Sequence, residues 1–496
     1  MTIASPNSHA SRLEIIPIDL TAEVTVRRAT SLRRILQICI VGMRLVLPVI
    51  VTNVFVRDRS RRKARLGHSL AMAVSALGVT FVKLGQLLAS SPSIAGATLA
   101  DAMRSVLDDG PSLPFDEVRR IVEHDLGRSL KEAFATFEPT PFAAASLAVV
   151  HRATLADGTR VAVKVLRPES AKIVATDLSL IQPFSRWVAR EAPIGVLPVV
   201  PEAIDGLAEQ LAEELDLRNE ARAMRWFEEM VGILGANGVR VPVTIDDLSG
   251  QRVLTMELVD GAKIDDLARL AADDIDARKA VKALIESWFA LTLCTGVFHG
   301  DMHAGNLLLT AEGDVVLLDW GIVGRLPATS LQFFRRSLEG SLGDETAWPD
   351  VRDHVLSTMP PGVLDAMGLG PDVFLQIIRT QTMMIMTAPF GELDLMMLTP
   401  QASIPSDAPV ALPSSLRDWL RVLRSERKKL KSGQLVALPV SPPRGEMLLV
   451  KQLVFFERYG KLFLGDEPLL YDPEVYRSLL AATADAVTIA KPSVPR

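Results

Sequence analysis

The sequence predicts a two-lobed α+β protein with a cleft between the lobes. Three observations carry this prediction. They are a β-rich stretch at 138–166, a helix and one further strand between 201 and 261, and a mainly helical remainder with a polar loop and a hairpin between 299 and 321. The chain has 496 residues, of which 48% are hydrophobic and 23% charged. This is a globular composition, long enough for two or three packed units.

Composition also limits the partners and the compartment. The net charge of −5 gives no reason to expect a nucleic-acid partner. Two cysteines, Cys39 and Cys294, exclude a disulfide framework and favour a reducing compartment, the cytoplasm. The first residues, "MTIASPNSHASRLE", lack a charged segment followed by an apolar run, so we expect no secretory signal.

A helical extension precedes the β-rich stretch. Residues 1–30 read as a polar, disordered lead-in and 31–135 as helices. Within them 35–56, "ILQICIVGMRLVLPVIVTNVFV", is largely apolar and is followed by six basic residues up to Arg65. The length suffices to cross a bilayer, but Arg44 and Pro48 lie near its centre. Three interpretations stay open: a transmembrane helix, an interfacial helix on the inner face of the membrane, and a buried helix.

The predicted N-lobe covers 136–262. Asp157-Gly158 predicts a hairpin between two β-rich runs. In the second run, "VAVKVL", Val161, Val163 and Val165 share one face, and Ala162, Lys164 and Leu166 share the other. A helix is predicted at 201–230, and "QRVLTMELVDG" is predicted to be a strand.

The predicted C-lobe covers 263–400. A helix at 277–296 ends at Gly296, and the polar loop and hairpin follow it. Residues 401–496 are predicted to form a helical C-terminal region with proline-rich linkers near 399–413 and 439–444.

Lys164 is the first candidate site residue. An ammonium group within an apolar strand is costly unless it is paired, and the following helix offers acidic partners. We predict Glu220 as the partner. Asp216 lies one turn before Glu220, and such a like-charge pair needs a separate cation for each member. A solvated lysine and a solvated acidic helix face are the plainer interpretations.

The stretch "HGDMHAGN" (299–306) supplies the second set. Asp301 and Asn306 are five residues apart, as in the catalytic loop of phosphotransferases, and Asp319 follows across the hairpin. Asn306 and Asp319 are predicted Mg²⁺ ligands, and Asp301 is predicted to orient or deprotonate the attacking hydroxyl or water. A metal-hydrolase interpretation of His299 and His303 lacks a third ligand.

Seven stretches in order resemble one family. They are "KLGQ", "AAAS", "VAVKVLRP", "EELDLRNEA", "LTMELVDG", "HGDMHAGN" and "LLDWGIVGRL". Together they resemble the UbiB family of atypical kinases, the aarF-domain-containing proteins. The resemblance implies an atypical protein-kinase-like two-lobed fold with an N-terminal helical extension and a helical C-terminal region.

The resemblance also implies roles for residues. ATP or ADP with Mg²⁺ would bind in the cleft, "AAAS" would replace a glycine-rich nucleotide loop, and the helix carrying "KLGQ" would block a peptide-substrate site. The nucleotide-binding residues are then Ala143, Ala144, Ala145, Ser146, Lys164, Glu220, Met256, Glu257 and Leu258. Those of the occluding motif are Lys83, Gly85, Gln86, Glu214 and Asp216, with Lys83 as the cation for Asp216.

We therefore expect an atypical kinase or ATPase that acts on or near lipids or isoprenoid quinones. Two alternatives remain: a nucleotide-binding scaffold without turnover, and a small-molecule phosphotransferase of the aminoglycoside-kinase type. Ala148 stands where the family commonly has another glycine, which stiffens the nucleotide loop. The substrate and the oligomeric state do not follow from the sequence.

Overall fold

The computed structural model describes residues 13–20, 28–89, 102, 113–191, 199–359, 364, 369–395 and 444–489. Within these ranges the protein has the predicted α+β, two-lobed architecture with helical regions on both sides. The predicted proline-rich linkers lie outside the described residues, except that Arg444 begins a helix.

The N-terminal region is a helical hairpin followed by one further helix. Helix α1 (Arg28–Val41) continues through a π-helical turn (Gly42–Val46) into α2 (Leu47–Thr52) and a 3₁₀ turn (Asn53–Phe55). Helices α3 (Arg59–Leu77) and α4 (Val79–Ala89) follow. The α1–α2 arm packs against α3, where the buried Asn53 side chain donates to the Arg62 carbonyl.

The apolar arm is not a core helix. In the most apolar stretch of 18 consecutive residues within Ser31–Phe55 no residue is buried, and Val54 and Phe55 are 70% and 84% exposed. Of the three interpretations of 35–56, the buried helix is therefore wrong. The helix is long and apolar enough to cross a membrane by length and composition alone.

Part of the predicted lead-in is held by the protein. Residues 13–19 have no regular secondary structure, and hydrogen bonds tie this segment to two helices described below. The Asn219 side chain exchanges two hydrogen bonds of 2.9 Å with the backbone of Ile16, and the Ile18 amide donates to the Ala212 carbonyl.

The N-lobe is a small antiparallel sheet backed by one helix. Helices α5 (Phe115–Leu126) and α6 (Leu130–Ala133) precede strands β1 (Thr136–Phe137), β2 (Ala143–Ala144), β3 (Ala148–Thr154), β4 (Arg160–Leu166) and β6 (Val253–Glu257). The strand order is β1-β3-β4-β6, with β2 beside β3. Val161, Val163 and Val165 pack with α5, and Ala162 and Leu166 belong to the main core, so the predicted two faces of β4 are confirmed.

Three helices lie between β4 and the C-lobe: α7 (Ser170–Glu191), α8 (Val199–Glu214) and α9 (Leu217–Leu234). The prediction of a single helix at 201–230 is wrong, because the helical conformation is interrupted at Asp216, between α8 and α9. Asp216 has an extended backbone and accepts the Arg218 amide as the N-cap of α9.

The C-lobe contains a second sheet and most of the core. Its strands β5 (Val239–Arg240), β7 (Ala262–Lys263), β9 (Leu307–Leu309) and β10 (Val315–Leu317) are ordered β5-β10-β9-β7. Helix α10 (Leu267–Ala272) precedes α11 (Ala277–Thr295), which is buried along most of its length and ends, as predicted, at Gly296 with a left-handed backbone. A two-stranded ladder joins β8 (Val297–His299) to β11 (Val323–Arg325).

Helices complete the chain, as predicted: α12 (Ala328–Ser341), α13 (Trp348–Ser357), α14 (Pro371–Thr387), α15 (Arg444–Phe463) and α16 (Pro473–Ile489). Helices α15 and α16 pack against α11, and α15 also contacts β11. This contact brings a distant part of the chain beside the polar loop at 299–306.

Candidate active site

An ion-paired lysine lies at the centre of the cleft. Lys164 projects from β4, and its Nζ lies 2.8 and 2.9 Å from the two carboxylate oxygens of Glu220, in the first turn of α9. The predicted pair is therefore present. A second carboxylate, that of Asp319, lies 3.2 Å from the same Nζ.

The two carboxylates differ in accessibility, which separates their roles. The Glu220 side chain is 3% exposed and also accepts the Trp320 amide, whereas the Asp319 side chain is 41% exposed towards the cleft. Burial raises the pKa of Glu220 to about 7 against the opposing effect of Lys164. Burial also opposes ionisation of Asp319, but Lys164 and the Gly321 amide outweigh it and hold the pKa of Asp319 below its usual range. Asp319 is thus the ionised and accessible carboxylate of the two.

The polar loop presents Asp301 from a rigid base. His299 is buried at the end of β8, where its Nε2 donates to the Asp319 carbonyl at 2.7 Å and its Nδ1 accepts the Asp301 amide at 3.1 Å. Both ring nitrogens are therefore used, one within the loop and one at the Asp319 backbone, as expected for a structural histidine. Burial lowers the pKa of His299 to about 4, which keeps this neutral tautomer in place.

A metal-hydrolase site does not form around the two histidines. His303 uses its Nδ1 to accept the Gly305 amide, and His299 has no ring nitrogen left. Across the described residues, no group of three or more histidine, cysteine or acidic side chains is placed to hold a metal ion.

Asn306 and Asp319 stand before and after the two strands of the hairpin, β9 and β10. The Leu318 amide donates to the Asn306 carbonyl at 2.9 Å, directly before Asp319. The Asn306 side-chain nitrogen donates to the Asp301 carbonyl at 3.0 Å, so only its oxygen can serve a metal. One accessible carboxylate and one amide oxygen fit Mg²⁺, which takes few protein ligands together with phosphate oxygens. Their role as ligands stays a prediction.

A second lysine enters the cleft from outside the kinase-like lobes. Lys83 of α4 lies 2.7 Å from Glu214 at the end of α8, and both side chains are largely buried. Lys83 and Glu214 line the same cavity as Lys164, Asp301 and Asp319. Gly85 is buried on the same helix, and Gln86 is half-buried. The "KLGQ" helix thus lies against the cleft.

Asp216 does not receive the cation predicted for it. Its carboxylate caps α9 and pairs with the Arg218 guanidinium at 2.6 Å, while Lys83 pairs with Glu214. The prediction failed because it placed Asp216 and Glu220 on one helix. With Asp216 at the N-cap, the like-charge problem is resolved locally and needs no cation from α4.

The alanine-rich loop lies above Lys164. Ala143 and Ala144 form β2, and the Ala145 amide donates to the Ala148 carbonyl to close a tight turn that contains Ser146. The Arg167 guanidinium, three residues after Lys164, donates to the Ala145 carbonyl at 3.1 Å. This second hydrogen bond, which the sequence did not indicate, braces the loop from below.

Comparison with known proteins agrees with this geometry. Residues 105–345 match the model of the ABC1 atypical kinase-like domain. An uncharacterized protein of Mycobacterium tuberculosis is 33% identical over 402 residues, which cover 80% of this chain and 75% of that protein. The chain belongs to the ABC1/UbiB family of atypical kinases.

Named relatives carry the same family terms. An uncharacterized aarF domain-containing protein kinase of Arabidopsis thaliana chloroplasts is 28% identical. The match covers 80% of this chain and 72% of the length of that protein. The "Probable protein kinase UbiB" of Cellvibrio japonicus is 33% identical. The match covers 55% of this chain and 50% of the length of that protein. In this ABC1/UbiB protein, Lys83 lies before the matched region.

Three of the predicted nucleotide-binding residues lie at the end of β6. Met256 is buried, Glu257 pairs with Arg240 at 2.8 Å, and the Leu258 amide donates to the Arg160 carbonyl. These three residues are not among those that line the cavity beside Lys164. The described cavity therefore does not include these three residues, and their role in nucleotide binding stays a prediction.

Sequence reasoning missed a third lysine. Lys451 of α15 lies 2.7 Å from the Oδ1 atom of Asp301, and its neighbour Gln452 is buried against the same loop. Lys451 and Gln452 interrupt the otherwise apolar run "MLLVKQLVFF". Lys164 was identified by the same signal: a charged or polar residue within an apolar run, which is costly to bury unless it is paired.

Proposed function

We propose that this ABC1/UbiB protein binds Mg²⁺ and adenine nucleotide and transfers the terminal phosphoryl group to a lipid or isoprenoid-quinone-class acceptor or to water. One observation carries the proposal. Lys164, Glu220, Asp301 and Asp319 line one cavity, together with the alanine-rich loop. Phosphoryl transfer needs this set, because it depends on positioning and charge neutralisation.

Each residue has a separate part in that chemistry. Glu220, whose side chain is 3% exposed, aims Lys164 at the nucleotide phosphates. Asp319 and the Asn306 oxygen hold Mg²⁺, which when bound neutralises phosphate charge. Asp301 accepts the proton of the attacking hydroxyl or water.

Protein substrates are disfavoured by the position of α4. Lys83 and Glu214 form a largely buried ion pair at the wall of the cavity, where a bound peptide would have to displace them. Breaking such a pair without replacing its partners costs about 3–5 kcal/mol. A small or flexible acceptor avoids that cost.

The apolar arm supports action at a membrane surface. Arg34 pairs with the buried Asp177 of α7 at 2.6 Å, and Asn53 ties the far end to α3. Between these ties the outward side chains stay exposed, and basic residues follow from Arg57 to Arg65. An arm anchored along one side and apolar along the other suits an interfacial position better than a bilayer span.

The test is nucleotide hydrolysis by the purified full chain, with and without vesicles that contain anionic lipid. We expect turnover that vesicles stimulate and that Asp319→Asn abolishes together with the thermal stabilisation by Mg²⁺–ADP. Asp372→Asn, at an exposed position in α14, is the matched control and should behave as wild type. A wild-type protein that gains no stability from any Mg²⁺–adenine nucleotide contradicts the proposal.

A scaffold without turnover is the second candidate, favoured by the alanine-rich loop. Cβ atoms at 143–146 hinder close approach of backbone amides to phosphates. Asp301→Asn separates the two functions, because it should leave Mg²⁺–ADP binding intact. Loss of cellular function in this variant supports catalysis, and full function supports the scaffold.

A further inference from the structure

Helix α15 holds the polar loop on both sides of Asp301. The Gln452 side chain donates to the Gly300 carbonyl at 2.8 Å and accepts the Met302 amide at 3.0 Å. The Tyr459 hydroxyl donates to the Met302 carbonyl at 2.7 Å. Gln452 and Tyr459 are both fully buried. The backbone that carries Asp301 is therefore fixed by a helix about 150 residues later in the chain.

Lys451 adds a contact of another kind. Its Nζ lies 2.7 Å from Asp301 Oδ1, and the two side chains are 27% and 21% exposed. The buried bonds of Gln452 and Tyr459 already dock the helix, and a partly exposed ion pair contributes little stability. The Lys451 contact is thus placed to orient a side chain more than to hold α15.

The polar loop itself supplies no comparable cation. His303, two residues after Asp301, has its Nε2 at 3.9 Å from Asp301 Oδ2, beyond hydrogen-bond distance. Lys83 and Lys164 are paired with Glu214 and Glu220. Lys451 is therefore the lysine whose ion pair, among the described contacts, serves Asp301.

Building on the proposed function, we infer that Lys451 is a positioning residue for phosphoryl transfer. It holds Oδ1 of Asp301, so that Oδ2 faces the acceptor. In the transfer step, the acceptor O–H gives its proton to Asp301 while its oxygen bonds to the terminal phosphorus. The bond from that phosphorus to the bridging oxygen breaks, and ADP leaves. The active unit then includes α15, which lies beyond the matched residues 105–345.

The test compares Lys451→Met with Lys451→Arg in the full chain. Methionine keeps the length and the helix propensity of lysine but cannot hold Asp301. The matched control is Arg458→Met on the same helix, where a cation at 55% exposure pairs with Asp265 at the surface. Steady-state turnover is measured against ATP concentration, with thermal stabilisation by Mg²⁺–ADP and hydrogen exchange of the Met302 amide alongside.

We expect Lys451→Met to lower kcat at least about 20-fold, part of the 10²–10⁴ that a positioned base contributes, with the KM for ATP within about twofold of wild type. Lys451→Arg should recover most of the loss. Arg458→Met, the Mg²⁺–ADP stabilisation and the Met302 protection should stay unchanged.

Three results overturn this inference or its basis. If the wild type is active and Lys451→Met has the same kcat, the inference about Lys451 is wrong while the proposed function still stands. Loss of Met302 protection in that variant shows that Lys451 only docks α15 and also sinks it. If the wild-type protein has no turnover, the proposed phosphoryl transfer is wrong, and the inference that rests on it is wrong too.

Discussion

The kinase-like core and the helices that flank it build the same cleft by different means. In the core (105–345), Asp301, Asn306 and Asp319 lie within 20 residues on one loop and one hairpin, so sequence spacing alone places them together. The flanking helices contribute Lys83 and Lys451 through packing, from segments far away along the chain. Local motifs therefore report the chemistry of the cleft, while the flanks determine how its acidic residues are held.

The anchoring of the apolar arm should give the largest effect. Arg34 donates to both oxygens of the fully buried Asp177, at 2.6 and 2.8 Å. Arg34→Met leaves that carboxylate buried and unpaired, and should lower the free energy of unfolding of this region by about 3–5 kcal/mol. Hydrogen exchange across α1–α3 measures it.

The neighbouring Arg33→Met is the control, because the Arg33 side chain is exposed. Equal loss of protection in both variants would mean that the arm depends on general charge and not on the buried pair.

Lys164→Met tests the core directly. Removing the cation from between Glu220 and Asp319 should lower turnover by about 10²–10³, or about 3–4 kcal/mol of transition-state stabilisation. Initial rates of hydrolysis measure this loss. Lys172→Met, at an exposed position in α7, should keep wild-type rates, and a Lys164→Met protein with comparable activity would remove the core from the mechanism.

Lys83→Met tests the occluding helix. It leaves Glu214 largely buried without its cation, and should lower the protection of α4 against hydrogen exchange by about tenfold, which corresponds to about 1.4 kcal/mol. The double variant Lys83→Met/Glu214→Gln should lose less than the sum of the single variants, because no unpaired carboxylate remains. Additive losses would show that the pair does not hold α4.

The pH dependence of stability should show the smallest effect and concerns the core alone. His151 is fully buried on β3, where its Nδ1 donates to the Glu138 carbonyl at 2.8 Å. Burial lowers the pKa of His151 in the folded protein. Its contribution to stability is therefore complete above the ordinary histidine pKa and is lost as the pH falls below it.

Denaturation midpoints between pH 7.5 and 5.5 measure this dependence. Stability should fall towards pH 5.5 in the wild type and fall less in His151→Gln, which keeps a donor but does not titrate. Parallel profiles would assign the acid sensitivity to other groups.

Much of the core could be predicted because its signals are local. Asp157-Gly158 marked the β3–β4 hairpin, and the period of two along β4 put Lys164 on the face that meets α9. The prediction of a single helix at 201–230 was wrong because the same local signal, periodicity, does not detect a break between two helices. An apolar stripe continues across Asp216, and periodicity does not reveal that this residue leaves the helical conformation to cap α9.

The sequence by itself determined the lobes, the family and the acidic residues of the polar loop and the hairpin. These depend on backbone preferences and spacings of a few residues. The pairing of Lys164 with Glu220 was predicted from the sequence, but only the tertiary structure decided the other two pairings: Lys83 with Glu214 and Lys451 with Asp301. Such pairing follows from how distant helices pack, because an ion pair forms wherever burial brings opposite charges together, and no sequence spacing encodes that distance.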